Sequence, residues 1–223
     1  MPKGLRALLV VAAMSCAIAN PATAGIITVK YTGGDPGTAL GGYDMTPFDH
    51  DDRVGEWVNS VASPLYGNVL IMAQGAETPL DMLVGDPTAN NPDWWEYDDH
   101  GSVYMTGVHW IELLMPANTR AFSFYVGASF NGYGWIEGYD DQGYSTWEPF
   151  NVSAGNSPGF GVYSGAGSCS SITKIIVEPY QLWGVGNFGI NQDTCTTVPE
   201  PGSLSLLGLG LLLLGFARRF RAV

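Results

Sequence analysis

Two carboxylates, Glu112 in GVHWIELLM and Glu137 in YGWIEGY, lie in strand-like segments and are the first candidates for chemistry. Two acids flanking a glycosidic bond can hydrolyse it, one donating a proton while the other activates water or attacks the sugar. Acids are abundant in this chain, so a solvent-facing carboxylate is the simpler reading of each. No other catalytic constellation is visible. The chain has no G-x-S-x-G, no H-E-x-x-H, no phosphate-cradling P-loop and no cysteine near a histidine. His50, His100 and His109 share no spacing that would put two on one metal. The expectation is a protein without catalytic residues. The alternative keeps Glu112 or Glu137 as acid or base of a polysaccharide hydrolase.

Other acids cluster: Asp49, Asp51 and Asp52 in DHDDR, Asp98 and Asp99 in YDDH, Asp140 and Asp141 in YDDQG. Calcium takes about six to eight hard oxygen ligands, which carboxylates and loop carbonyls can supply. None of the clusters has EF-hand spacing, so solvated turns are the default and calcium the alternative; no other cofactor is implied. Aromatic residues form the second constellation. NPDWWEYDDH places Trp94, Trp95 and Tyr97 in a polar, proline-led segment, and Tyr133, Trp135, Tyr144 and Trp147 surround a glycine-rich one. A flat ring covers the C–H face of a sugar while neighbouring carboxylates accept bonds from its hydroxyls. Trp94, Trp95, Tyr97, Trp135 and Trp147 are therefore the glycan-binding candidates. The competing reading has such rings capping a core, although on a strand adjacent Trp94 and Trp95 must point to opposite faces.

The elements that must position these residues read as strands. The middle of the chain is rich in Gly, Tyr, Trp and Thr, a composition that favours strands and turns over helices. AFSFYVGA alternates Phe122, Phe124 and Val126 against Ser123 and Tyr125, as a half-buried strand does. ITVKY, NVLIM, GVHWIELLM, YGWIEGY, FGVYS, ITKIIVE and LWGVGNFGI are further candidates, separated by Gly, Pro, Asn or Asp. Pro116-Ala117-Asn118 reads as a turn and Asp140–Gly143 as a hairpin turn. RVGEWVNSVASPL, Arg53 to Leu65, is the one stretch with helical potential. About ten short strands without helical intervals predict an all-β, antiparallel sandwich of jelly-roll type.

Both ends carry addresses. Residues 1–24 form a signal peptide: Lys3 and Arg6, an apolar run from Leu8 to Ile18, and the small-residue site Ala22-Thr23-Ala24. A lipidated Cys16 is the weaker alternative. The ectodomain is then 25–198, and residues 199–223 form the tail. The ectodomain holds twenty of the twenty-one acidic residues but only four of the nine basic ones, a formal charge of −16. Such a surface excludes nucleic acid as a partner. With Cys16 removed, Cys169 and Cys195 remain, and an even pair in an exported chain reads as a disulfide worth roughly 3–4 kcal/mol. In the tail, Pro199-Glu200-Pro201 precedes an apolar run over 203–217, followed by Arg218, Arg219 and Arg221. As a helix the run spans about 22 Å, short of a hydrocarbon core of about 30 Å, and the arginines mark the cytoplasmic side. A permanent single-helix anchor is the plain reading.

VPEPGSLSLLGLGLLLLGFARRFR resembles the PEP-CTERM sorting signal of Gram-negative bacteria. The resemblance implies that Pro199, Glu200 and Pro201 are recognised by an exosortase, a membrane cysteine protease, after transient membrane association through the helix. The product would go to the cell surface or extracellular matrix, where exopolysaccharide is the implied companion. AFSFYVGA, WIEGYDDQG, GFGVYS, SITKIIVE and GVGNFGI together resemble secreted bacterial β-sandwich domains, whose fold is shared with carbohydrate-binding modules. Gly186-Asn187-Phe188 stands where an Asp-Asn or Asp-Asp pair is more usual in that arrangement. The expected function is a non-enzymatic surface or matrix protein binding exopolysaccharide, with the hydrolase and a self-associating adhesive module as alternatives.

Overall fold

The computed structural model describes residues 37–73, 75–85, 102–165, 168–179 and 183–194, and the main chain of 26–30. The compact unit that contains all of them except Thr194 ends at Asp193, and Thr194–Val223 forms a second unit. In chain order the strands are β1 (Ile26–Lys30), β2 (Ala39–Leu40), β3 (Tyr43–Asp44), β4 (Thr46–Pro47), β5 (Trp57–Val58) and β6 (Ser60–Ala62). Next come β7 (Asn68–Ala73), β8 (Met82–Gly85), β9 (Val103–Thr106), β10 (Ile111–Leu114) and β11 (Thr119–Ala128). The last five are β12 (Gly132–Asp140), β13 (Ser145–Val152), β14 (Gly159–Ser164), β15 (Ile172–Glu178) and β16 (Trp183–Gln192). Among the described residues there is no helix, and none that is long and apolar enough to cross a membrane. The expected signal peptide, the 203–217 helix, the sorting residues and the arginines 218, 219 and 221 lie outside the described residues.

All pairings are antiparallel. The first sheet runs β1-β14-β11-β16-β9-β8-β5, with β4 also paired to β16; the second runs β13-β12-β15-β10-β7-β6; β2 and β3 form a small hairpin. From β9 to β16 the chain passes back and forth between the two large sheets, except at the β12–β13 hairpin. Within those eight strands the orders are β9-β16-β11-β14 and β10-β15-β12-β13. The facing sides of the sheets share one apolar core, a sandwich-like arrangement. Phe122, Phe124, Phe160, Phe188 and Ile190 come from one layer, and Ile71, Leu113, Ile136, Phe150, Ile175 and Val177 from the other. Phe150 and Phe160 meet across the layers at 4.8 Å between ring centroids.

The outer side of the first sheet is itself covered, so β11 is buried along its whole length. This corrects the half-buried reading of AFSFYVGA. Ser123 and Tyr125 point away from the main core, yet Tyr125 packs with Val103 and Met105 in a second small cluster. The β2–β3 segment lies over the same side: Asn191, opposite Ala121 in the ladder, donates from Nδ2 to the Asp44 carbonyl at 2.9 Å. Gly41 has a φ of 62°, and a Cβ there would lie 2.2 Å from Tyr163 Cδ2, so only glycine fits.

Arg53–Leu65 is a second correction. It contains β5 and β6 rather than a helical turn, because Gly55 takes a φ of 84° and the β-branched Val58 and Val61 each enter the core from an extended backbone. The two anticipated turns are present. Asn118, at a φ of 61°, turns the chain from β10 into β11. Asp140 Oδ1 accepts bonds from the main-chain N–H of Gln142 and Tyr144, at 3.0 and 2.8 Å, while Gly143 closes the turn at a φ of 82°. Gly186-Asn187-Phe188 forms an irregularity in β16. Asn187 has a φ of 50°, which lets Phe188 enter the core and stack on Tyr104 at 5.4 Å.

Candidate functional site

The outer side of the second sheet is where the chemistry-bearing residues meet. Alternation along a strand sends every second side chain outward. On β12 the inward residues, Gly134, Ile136, Gly138 and Asp140, are buried, so Tyr133, Trp135, Glu137 and Tyr139 share the outer face. On β13 the outward residues are Ser145, Trp147, Pro149 and Asn151. The ladder then fixes the rows. Met72, Glu112, Ile176, Glu137 and Trp147 lie side by side across β7, β10, β15, β12 and β13. The next row holds Leu70, Leu114, Lys174, Tyr139 and Ser145. Beyond the Glu137 row on the other side, Trp135 lies between Glu178 and Pro149.

The rings on this face are open to solvent at its β13 side. Trp147 is 64 % exposed, Tyr133 69 % and Tyr144, beside the hairpin turn, 51 %. Trp147 lies diagonally across the ladder from Trp135, a separation that large side chains can bridge. Tyr133 to Tyr139 covers about 20 Å of strand, at roughly 3.4 Å per residue. Burial first, and then the neighbouring Glu137 carboxylate, raise the Tyr139 phenol above its usual pKa. Lys174 Nζ lies 4.5 Å from the centre of the Tyr139 ring and 3.7 Å from Glu112 Oε2. The lysine thus stands between the two glutamates, tied to Glu112 by charge and to Tyr139 by a cation–π contact.

The structure therefore joins two groups that the sequence treats separately, the carboxylates Glu112 and Glu137 and the rings Trp135 and Trp147. Glu112 and Glu137 are two strands apart in one row, a main-chain separation of about 10 Å. Trp94, Trp95, Tyr97, Asp98 and Asp99 lie outside the described residues, as does Cys195. Lys174, Tyr139 and Ile176 belong to the face without having been singled out. Alternation in YGWIEGY was the signal for Tyr139; Lys174 and Ile176 needed the β15 register.

The described members of the acidic clusters do not assemble. Among the described residues no three His, Cys, Asp or Glu side chains are grouped to hold a metal ion. Asp51 is engaged by Arg53, with Nη2–Oδ2 at 2.7 Å and Nε–Oδ1 at 2.8 Å, and accepts from the Tyr104 hydroxyl at 3.1 Å. The Arg53 bond holds the Asp51 carboxyl below its ordinary pKa, against the opposing effect of burial. Burial and the neighbouring Asp51 charge push the Tyr104 phenol far up. Asp49 and Asp52 are exposed, one oxygen of the buried Asp140, Oδ1, is used by the hairpin turn, and Asp141 is exposed.

Comparison with known proteins identifies the tail and nothing else. A family model described as the PEP-CTERM protein-sorting motif matches residues 197–222, which include Pro199, Glu200, Pro201, Arg218, Arg219 and Arg221. No curated protein and no solved structure matches the chain.

Proposed function

From the premise that the chain carries a PEP-CTERM sorting motif, which supports export under exosortase control, we propose a non-enzymatic surface or matrix protein that holds polysaccharide on the outer side of its second sheet. In this reading the signal peptide directs export, the 203–217 helix holds the chain in the inner membrane, and exosortase cuts near Pro199-Glu200-Pro201. What remains is a jelly-roll ectodomain, a reading favoured by the β9-β16-β11-β14 and β10-β15-β12-β13 orders, closed by a Cys169–Cys195 disulfide. The observation that carries the ligand reading is the pair of exposed rings, Tyr133 and Trp147, with the half-buried Trp135 between their rows and Glu137 beside it on one face. Large exposed rings on a solvent-facing sheet contribute nothing to the core, and they fit the C–H faces of sugars.

Affinity electrophoresis of the full-length protein in detergent, through gels containing polysaccharide from the producing cells, tests this. Retardation that Trp147→Ala abolishes is the expected result. Equal mobility with and without polysaccharide would leave the face without a glycan role. One observation favours a second reading, a hydrolase: Glu112 and Glu137 share a row on the same face. Release of reducing ends from that polysaccharide, lost in both Glu112→Gln and Glu137→Gln, would put this reading ahead.

A further inference from the structure

Resting on the glycan-binding reading, we propose that the polysaccharide recognised by the second sheet's outer face carries free amino groups, and is therefore cationic. Rings alone do not select charge, since any sugar has C–H faces. The groups between and beside the rings do. Glu137 lies in the same row as Trp147 and next to Trp135 along β12, within reach of any sugar stacked on either ring. Glu112 continues that row, whereas Glu178, paired with Trp135 in the next, is buried and adds no open carboxylate. Among the described residues the one cation of the face, Lys174, is already held by Glu112 and the Tyr139 ring. Two carboxylates, Glu137 and Glu112, against one ammonium leave the face acidic, and the ectodomain as a whole carries a formal charge of −16.

A uronate, sulfated or phosphorylated chain would meet like charge on contact and a repulsive field on approach. A neutral glycan would gain only the stacking. A chain of amino sugars gains both, because each ammonium near a ring-bound sugar can pair with Glu137 or Glu112. Exposed pairs of this kind are each worth a factor of roughly 2 to 5 in affinity, so two together favour an amine over its neutral counterpart by about 4- to 25-fold.

Calorimetric titration of the full-length protein in detergent with three oligosaccharides of equal length tests the proposal: a β-linked glucosamine oligomer, its N-acetylated counterpart and an oligouronate. The amine oligomer should bind most tightly, at a pH where its amines are protonated, and the oligouronate not at all. At about 1 M salt, where the screening length is only about 3 Å, the preference over the acetylated oligomer should shrink to near unity. The doubly substituted Glu112→Gln, Glu137→Gln protein should lose the preference but keep binding to the acetylated oligomer, and Trp147→Ala should weaken both. Equal or tighter binding of the acetylated oligomer or the oligouronate would overturn the amine preference while leaving the glycan-binding reading intact. Absence of binding to all three by a protein that melts cooperatively would overturn both.

Discussion

Arg120 is 4 % exposed, and among the described residues its guanidinium is held by main-chain carbonyls alone. Nη1–H groups donate to the carbonyls of Cys169 and Ser170, and Nε–H donates to that of Asp193 at 3.0 Å. One side chain on β11 thus ties the loop before β15 to the residue where the compact unit ends. Replacing it with methionine removes three charge-assisted bonds, each worth about 1.5–3 kcal/mol, a gross loss of roughly 5–9 kcal/mol. Methionine also removes the need to keep a guanidinium away from water, a penalty of several kcal/mol. The net cost of Arg120→Met should be about 2–4 kcal/mol. For a domain of this size, at about 2–4 °C per kcal/mol, the Tm should fall by roughly 4–16 °C. Lysine keeps the charge but lacks the planar fork that reaches carbonyls on two sides, so Arg120→Lys should fall between methionine and the wild type. Scanning calorimetry of the three proteins at one pH and scan rate measures this. A methionine protein melting within about 1 °C of wild type would refute the claim that the carbonyl cradle depends on the charge.

Trp147→Ala should leave stability within about 0.5 kcal/mol, since the ring is mostly solvated, whereas Phe188→Ala in the aromatic core should cost about 3–5 kcal/mol; urea unfolding separates the two. Gly41→Ala should destabilise by about 1–3 kcal/mol through the forced φ and the clash with Tyr163, read by the same method. Asp51 has a depressed pKa in the folded protein, so its contribution is present above the unfolded value of about 3.9 and disappears as pH falls through the folded value. Stability should therefore drop on acidification below about pH 4, and Asp51→Asn should flatten that part of the profile in melts taken from pH 7 to 2. Non-reducing peptide mapping of the exported protein should recover Cys169 linked to Cys195, and reduction should cost about 2–5 kcal/mol.

Much of the fold was legible because strand and turn signals are local. YGWIEGY alternates so regularly that its two faces could be read directly, and Asp140 with Gly143 announced the hairpin that the Asp140 carboxylate closes. The tail was legible for the same reason, its parts being contiguous. Register between distant strands was not. Glu112 and Glu137 are brought into one row by Ile176, and nothing local ties β10 and β12 to that residue of β15. β11 alternates like a half-exposed strand, and only the cluster with Val103 and Met105 reveals that Tyr125 is buried. Val58 and Val61 stand three apart, as on a helix, yet Gly55 and the pairing of β5 with β8 and β6 with β7 decide for strands.

The β12–β13 hairpin places Tyr133, Trp135, Tyr139, Tyr144 and Trp147 within one uninterrupted stretch of sequence, while the alternate residues Ile136, Phe150 and Val152 anchor that stretch in the interior. Outward and inward residues are thereby written in interleaved letters. Under the proposed glycan reading, drift at the odd-numbered positions of the two strands would retune the ligand without retuning the scaffold, and transfer of this one hairpin between paralogues would carry much of the specificity with it.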